Sequence, residues 1–395
     1  MEEITLSVFD HGASATENLK KLIADFERQH PIHVRLEVIS SWIQGWPRMV
    51  EIALYRNGPD VSEVGSTWVG DLARMMALRP FKQSEVESIT AGKNLFKNTW
   101  GGLVVEDQES RFIYSVPWTG DIRLVFFRRD LLNQAGINET NAFQSLEDFD
   151  RTVAAIKAKG IPMPLVLPTR RSNLTLHNMA SWVWGAGGDF LTPDGTGVAF
   201  DQPKALKGSQ AYFQLGRYLN PEEYLLEEDE SNARFASGKA AVVLSGYWML
   251  FSTVLNPEVR ENLGVAAVPG VPFVGGNDLI IWKHTRHESA AVQLVRFLHS
   301  EGASALIYPE FGLPVDEKGW ERPPFNSGSY PILATGFKKG RSFEGTLWGM
   351  VEKRMVDVLA EIWTEVLGKS ESQIDEIVET RMIGLARRLQ LSMET

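Results

Sequence analysis

The stretch ITLSVFDHGASATENLKKLIADFERQHPIHVRLEVI (Ile4–Ile39) decides the fold class. Ile4–Phe9 alternates β-branched and small residues and reads as a strand, and Asp10-His11-Gly12 is a polar turn. From about Thr16 to Gln29, Leu19, Leu22, Ile23 and Phe26 recur on one face at helical spacing. Pro31 stops that helix, and His33–Ile39 makes a second strand. Strand, helix and strand in this order imply a parallel sheet with helices packed on it.

Working outward, Trp46–Arg56 reads as a helix closed by the breakers Asn57-Gly58-Pro59-Asp60. Val61–Val64 is a short buried strand ending at Gly65-Ser66-Thr67-Trp68, and Val69–Leu78 is another helix. In open α/β sheets ligands gather at the carboxyl ends of strands. The loops around Asp10 and around Thr67-Trp68 are therefore prime lining candidates. Phe112–Val116 and Arg123–Phe127 bracket Pro117-Trp118-Thr119-Gly120-Asp121, which reads as a crossing between lobes. Helices are expected at Asp148–Lys159, His177–Trp184, Pro203–Leu219, Ser289–Ser300, Thr346–Leu367 and Ser372–Leu389. Strands are expected at Leu165–Leu167, Ala240–Leu244, Val265–Val268 and Asp278–Trp282. Ala240–Leu244 delivers Ser245-Gly246-Tyr247-Trp248 at its carboxyl end. The acidic run Glu227–Glu230 reads as solvated surface.

At 395 residues the chain calls for two domains of ordinary size. Hydrophobic content of 44% with 23% charged residues describes a globular chain. A net charge of −10 argues against a nucleic-acid partner, which would need a basic stripe for phosphates. With no cysteine, disulfides, thiolate catalysis and Cys-ligated zinc are excluded. No apolar run approaches the ~20 residues that cross a bilayer. The start MEEITLSVFD has no signal-peptide core, so it fits a cytosolic start or a mature exported chain with an added Met.

Twelve tryptophans are the strongest chemical signal, because most stand beside glycine, proline or polar residues at element ends. An indole offers a broad apolar face with one N–H at its rim. Sugar rings share that character, with C–H faces and hydroxyl edges. Trp42, Trp46, Trp68, Trp118, Trp182, Trp184, Trp248 and Trp348 thus point to a cleft for a neutral polyhydroxy ligand, with core packing as the competing explanation for each.

Several stretches carry a family resemblance. NGPDVSEVGSTWVGDLARMMAL (Asn57–Leu78), VPWTGDIRLVFFRRDLLNQAGI (Val116–Ile137) and ARFASGKAAVVLSGYWML (Ala233–Leu250) follow one another in order. The third keeps Phe235, Gly238, Ala240, Gly246 and Trp248 of an F-x-x-G-x-A…G-x-W run. LGVAAVPG (Leu263–Gly270), the strand Gly276–Trp282 and LVRFLHSEGASALIYPEFGLPV (Leu294–Val315) complete the series. The chain resembles the extracellular solute-binding proteins of carbohydrate ABC importers, the family that includes maltose-binding protein.

That resemblance implies an α/β, two-lobed periplasmic-binding-protein type II fold (a Venus flytrap) with three inter-lobe crossings. The lobes would be 1–117 plus 277–312 and 118–276 plus 313–395, with hinges near 117–123, 271–279 and 311–315. It implies a non-enzymatic substrate-binding protein that captures a carbohydrate between its lobes, needs no cofactor or metal, and delivers its ligand to ABC permease transmembrane subunits. The protein would be a monomer in the periplasm or at the extracellular face of a bacterial membrane, in mature form without its leader. Carried over residue by residue, the ligand-binding set is Asp10, His11, Trp42, Trp46, Thr67 and Trp68, then Trp118, Asp121, Trp182, Trp184, Trp248, Asn277, Asp278 and Trp348. Trp182 and Trp184 sit two apart on a helix, so at most one faces ligand. Trp100, Trp282, Trp320 and Trp363 read as packing.

Two rivals remain at this level. Arg170 and Arg171 would suit a charged solute such as a glycerol phosphate. A glycosidase would need two carboxylates flanking a bond, and Asp10, Asp121, Asp278, Glu310 and Glu344 are the candidates, but no motif pairs them.

Overall fold

The computed structural model describes residues 2–393 apart from 101–102, 108–109, 253, 309, 329 and 344–347. Its strands, in chain order, are β1 (Glu2–Phe9), β2 (Ile32–Ile39), β3 (Val61–Gly65), β4 (Leu103–Asp107), β5 (Ser110–Ile113), β6 (Ser115–Arg128), β7 (Val242–Gly246), β8 (Leu263–Ala267) and β9 (Val274–Ile281). The chain folds into two compact units. Unit 1 is Met1–Asp121, Val274–Gly328 and Ser342–Gly349; unit 2 is Ile122–Phe273, Ser329–Arg341 and Met350–Thr395.

Unit 1 opens with the expected parallel pair. β1 runs beside β2 from Glu2–Ile32 to Phe9–Ile39, and beside β3 through Leu6–Val61 and Ser7–Ser62. The connecting helix, Ala13–Gln29, buries Leu19, Leu22, Ile23 and Phe26, the stripe that its spacing demands. β9 is antiparallel to β3, with Val61 opposite Ile281 and Gly65 opposite Asn277, and β6 follows β9 in the sheet. Asp60 fastens this arrangement: its carboxylate accepts the Thr5 N–H at 2.8 Å and the Thr285 hydroxyl at 2.5 Å. β4 and β5 form a separate hairpin.

In unit 2 the second half of β6 is flanked on both sides by antiparallel strands. Arg123–Phe127 pairs with β7 and Leu124–Arg128 with β8. The last helix, Glu371–Met393, buries Ile374, Val378, Met382, Leu385 and Leu389 and packs on the helix Pro203–Phe213. The acidic run 227–230 proves to be a helix start. Glu227 and Glu230 cap each other's backbone N–H groups, and three acidic residues sit in the first turn, where the helix dipole favours them.

Some local expectations need correction. Pro117–Asp121, read as a crossing between lobes, is part of the unbroken strand β6, where Gly120 exchanges both backbone hydrogen bonds with Leu313, at 2.7 and 2.8 Å. The helix after β3 stops at Arg74, since Met76 takes a left-handed backbone with φ of 53°. The helix expected from Trp46 starts at Trp42 and carries Pro47 inside it. Pro203–Leu219 splits into an α-helix ending at Phe213 and a 3₁₀ segment, Gln214–Tyr218. Around Leu165–Leu167 only a single bridge forms, from Val166 to Val243. The start of the expected helix Thr346–Leu367 lies outside the described residues; Trp348–Val366 is helical.

Candidate functional site

Three parallel strands of unit 1 deliver aromatic residues at their carboxyl ends, the side where α/β sheets collect ligands. Phe9 closes β1 and is buried. Trp42, the first residue after the turn that follows β2, lies flat on it, ring centroids 3.7 Å apart and planes 13° apart. Trp68, in the 3₁₀ turn after β3, stands edge-on to Phe9 at 5.9 Å and to Trp42 at 5.8 Å, and is tilted against Trp46 at 5.7 Å. The rings fit because position 45 is glycine: a Cβ there would lie 2.5 Å from the Phe9 ring and 3.1 Å from the Trp68 ring. Trp42 keeps 39% of its surface in solvent, while Trp46 and Trp68 pack from outside on a core that includes Met49, Ile52, Val64, Ile280 and Trp282. Thr67 is half-buried in the same turn as Trp68.

Polar groups adjoin these rings. His11 is tilted against Phe311 at 4.5 Å and edge-on to Trp42 at 6.2 Å; Phe311 in turn meets the buried Trp118 at 5.2 Å. Glu63, fully buried in β3, organises the group. Its carboxylate lies 2.8 Å from His11 Nε2 and accepts the Phe9 N–H at 2.8 Å and the Asn277 amide at 2.7 Å. Burial pushes the His11 imidazole down, but the charge of Glu63, its hydrogen bond and the charge of Asp10 outweigh burial and raise the pKa above the usual 6.5. Asp10 is exposed and accepts the Gly12 N–H at 2.8 Å, which tightens the turn. Asn277 is half-buried, and Asp121 is half-buried at the end of the first segment of unit 1.

Two predicted residues of unit 1 are buried elsewhere. Asp278 is sealed in the sheet, where it accepts the Ser115 hydroxyl at 2.5 Å; burial pushes its pKa to about 7, with Ser115 opposing. Trp348 is buried and stacked on Phe343 at 3.8 Å.

Unit 2 carries the other three tryptophans of the predicted ligand-binding set. Trp248, half-buried in the 3₁₀ turn after β7, has the Arg123 guanidinium 4.8 Å from its ring centre. Its indole folds back over its own strand: a Cβ on Gly246 would come within 2.0 Å of the ring. Arg123 is buried, and its Nη2 faces His177 Nδ1 at 3.5 Å. An arginine can only donate, so Nδ1 accepts and the ring is neutral there. Burial and the Arg123 charge both hold the His177 pKa well below 6.5, so the 3.9 Å approach of Glu352 is no ion pair. His177 is also stacked on Phe273 at 4.1 Å. Trp182 belongs to the core, edge-on to Phe149 at 5.5 Å and to Tyr212 at 5.4 Å. Trp184 is buried, donates to Asp189 at 3.1 Å, and has Arg341 4.8 Å from its ring centre.

Residues 12–305 match the family described as bacterial extracellular solute-binding protein. The chain belongs to this family. A relative, the multiple sugar-binding protein of Streptococcus mutans serotype c, is 23% identical over 369 residues, covering 85% of this chain and 80% of its own. Solved structures share the fold, two of them as follows. One is an ABC transporter solute-binding protein of Thermotoga lettingae bound with α-D-tagatose, with a TM-score of 0.81, 19% identity, and coverage of 98% of this chain and 99% of its own. The other is the sugar-binding protein MalE of Xanthomonas citri, with a TM-score of 0.79, 22% identity, and coverage of 100% and 99%. The solute-binding fold is two-lobed and α/β, as expected, and its members bind substrates without transforming them. No helix among the described residues is long and apolar enough to cross a membrane.

In this solute-binding protein three of the glycosidase candidates have other occupations. Asp10 holds a turn, Asp278 holds Ser115, and Glu310 accepts from Ser14 at 2.8 Å and Asn18 at 3.1 Å. Glu344 lies outside the described residues. Arg170 donates to the Leu225 carbonyl and Arg171 to Asp357, at 2.5 and 2.6 Å, both on exposed surface. The residues that sequence reading missed are Glu63, Arg123 and His177. Glu63 had one visible signal, an acidic residue in the middle of the short apolar strand VSEVG.

Proposed function

We propose that this solute-binding protein captures a carbohydrate on the aromatic face of unit 1, that Trp248 of unit 2 is likewise a carbohydrate-stacking ring, and that the protein delivers its ligand to the permease of an ABC importer. One observation carries the reading: Trp42, Trp46 and Trp68 converge beside the His11–Glu63–Asn277 hydrogen-bond group at the carboxyl ends of β1, β2 and β3. Indole faces cover the C–H side of a sugar ring, and His11 and Asn277 offer polar edges to its hydroxyls. Each hydroxyl stripped of water and left unpaired costs about 1–3 kcal/mol, so polar groups beside the rings matter as much as the rings. The names of the relatives support the ligand class, being a multiple sugar-binding protein, a tagatose-bound protein and a MalE. A charged solute finds less support, because Arg170 and Arg171 are engaged by local acceptors.

On this reading units 1 and 2 are the two lobes, and the protein acts as a monomer outside the cytoplasmic membrane. A thermal-shift screen of mono-, di- and oligosaccharides identifies the sugar. Isothermal titration of that sugar against Trp42→Ala and Trp248→Ala then tests the site. Both variants should fold and lose binding; an unchanged dissociation constant in both refutes the assignment.

A further inference from the structure

A cavity of about 300 Å³ opens in unit 1, and none of the residues placed above on the aromatic face lines it. Its walls carry Lys93, Arg296, Lys318 and Arg322 against two acids, Glu301 and Asp316. That is a local surplus of cations in a chain of net charge −10. Both acids are engaged: Glu301 accepts from Arg322, and Asp316 caps the short helix Glu317–Trp320 by accepting the Gly319 N–H at 3.1 Å. Lys93 is different. Its ammonium donates to the Ser304 hydroxyl at 2.7 Å, and among the described residues this is its one hydrogen bond.

An ammonium has three donors, and a desolvated one with unmet donors is unfavourable. Burial presses the Lys93 pKa down; Asp316 opposes this and the nearby Arg322 charge adds to it. An oxyanion entering the cavity would relieve both conditions, since it brings charge-assisted hydrogen bonds to the free donors. The Ser304 hydroxyl accepts from Lys93 and also bonds the Tyr308 side chain, which holds it at the cavity wall. The volume sits at the lower end for small-molecule sites, larger than a bare phosphate needs.

We propose that this cavity is a second binding site, for a small oxyanion (a phosphate or carboxylate group carried on a body of a few carbons), with Lys93 as its counter-charge and Ser304 and Arg322 beside it. The inference is independent of what the aromatic face binds. The cavity also borders that region through the backbone: His299 Nε2 lies 2.9 Å from the Pro117 carbonyl, and the Tyr308 hydroxyl donates to the Trp118 carbonyl at 3.3 Å.

The test uses the whole protein without sugar. Thermal melts and isothermal titration are run with inorganic phosphate, acetate and, at matched ionic strength, chloride. Saturable stabilisation by phosphate or acetate beyond chloride is expected, and the better of the two names the group recognised. Lys93→Met keeps the side chain's stem and should weaken that binding by about tenfold or more, as loss of a charged hydrogen-bond donor does. Should Lys93→Met fail to fold, Ser304→Ala takes its place, with a smaller loss expected. No effect beyond chloride, or binding unchanged in the variant that folds, overturns the proposal.

Discussion

Glu63 holds His11 from below: the carboxylate of β3, sealed from solvent, lies 2.8 Å from His11 Nε2. The same carboxylate accepts from Asn277 and from the backbone of Phe9, so one side chain ties β1, β3 and β9 at the edge of the aromatic face. Removing it leaves three donors without their acceptor. Glu63→Ala should lower unfolding stability by on the order of 3 kcal/mol, because a buried pair is broken from one side. Urea denaturation measures this. Carbohydrate affinity should fall with it, and a loss of affinity without loss of stability would mean that Glu63 touches ligand directly.

His11 gives that pair a pH signature. Its pKa is raised in the folded protein, so the stability it contributes is fully present below the unfolded value of about 6.5 and is lost as pH rises through the raised one. The melting-temperature gap between the wild type and His11→Gln should therefore be widest near pH 5.5 and close toward pH 8.5, roughly one unit and two units either side of that value. A gap that widens with rising pH contradicts the pairing.

Asp278 makes the opposite use of a carboxyl. Burial raises its pKa to about 7, so the folded state keeps a proton that the unfolded chain releases near pH 3.9. The stability contributed is complete below the lower value and disappears as pH climbs to the upper one. Asp278→Asn keeps an acceptor for Ser115 and carries no charge. It should gain on the wild type by on the order of 2–4 kcal/mol between about pH 4 and pH 8. Equal differences at the two ends of that range, in chemical denaturation, would contradict it.

Gly246→Ala tests the seat of Trp248. A Cβ there would come within 2.0 Å of the indole, which must swing away from Arg123 and from its strand. The fold should survive with little change in melting temperature, since the ring is half-exposed, while sugar affinity drops by about tenfold, the scale of one lost stacking contact.

Much of unit 1 was legible because its signals are local. The stripe on Ala13–Gln29 and the tryptophans just past strand ends are readable within windows of a dozen residues. Glu63 was not, since its partners come from positions 52 and 214 residues away. The pairing of Gly120 with Leu313 is equally remote, so nothing near Pro117–Asp121 in the sequence shows that these residues continue a strand. Trp182 and Trp348 misled in the other direction. Aromatic residues near glycines can close a core as readily as line a surface, and only Phe149 and Tyr212, or Phe343, reveal which.

β6 begins in one unit and ends in the other without a break at Asp121–Ile122. No single cut of the polypeptide can therefore yield either half intact: each would forfeit part of a central strand and a segment that returns later in the chain. Dissecting this molecule calls for circular permutation or complementation from co-expressed pieces, and a protease that nicks β6 should disable both halves at once.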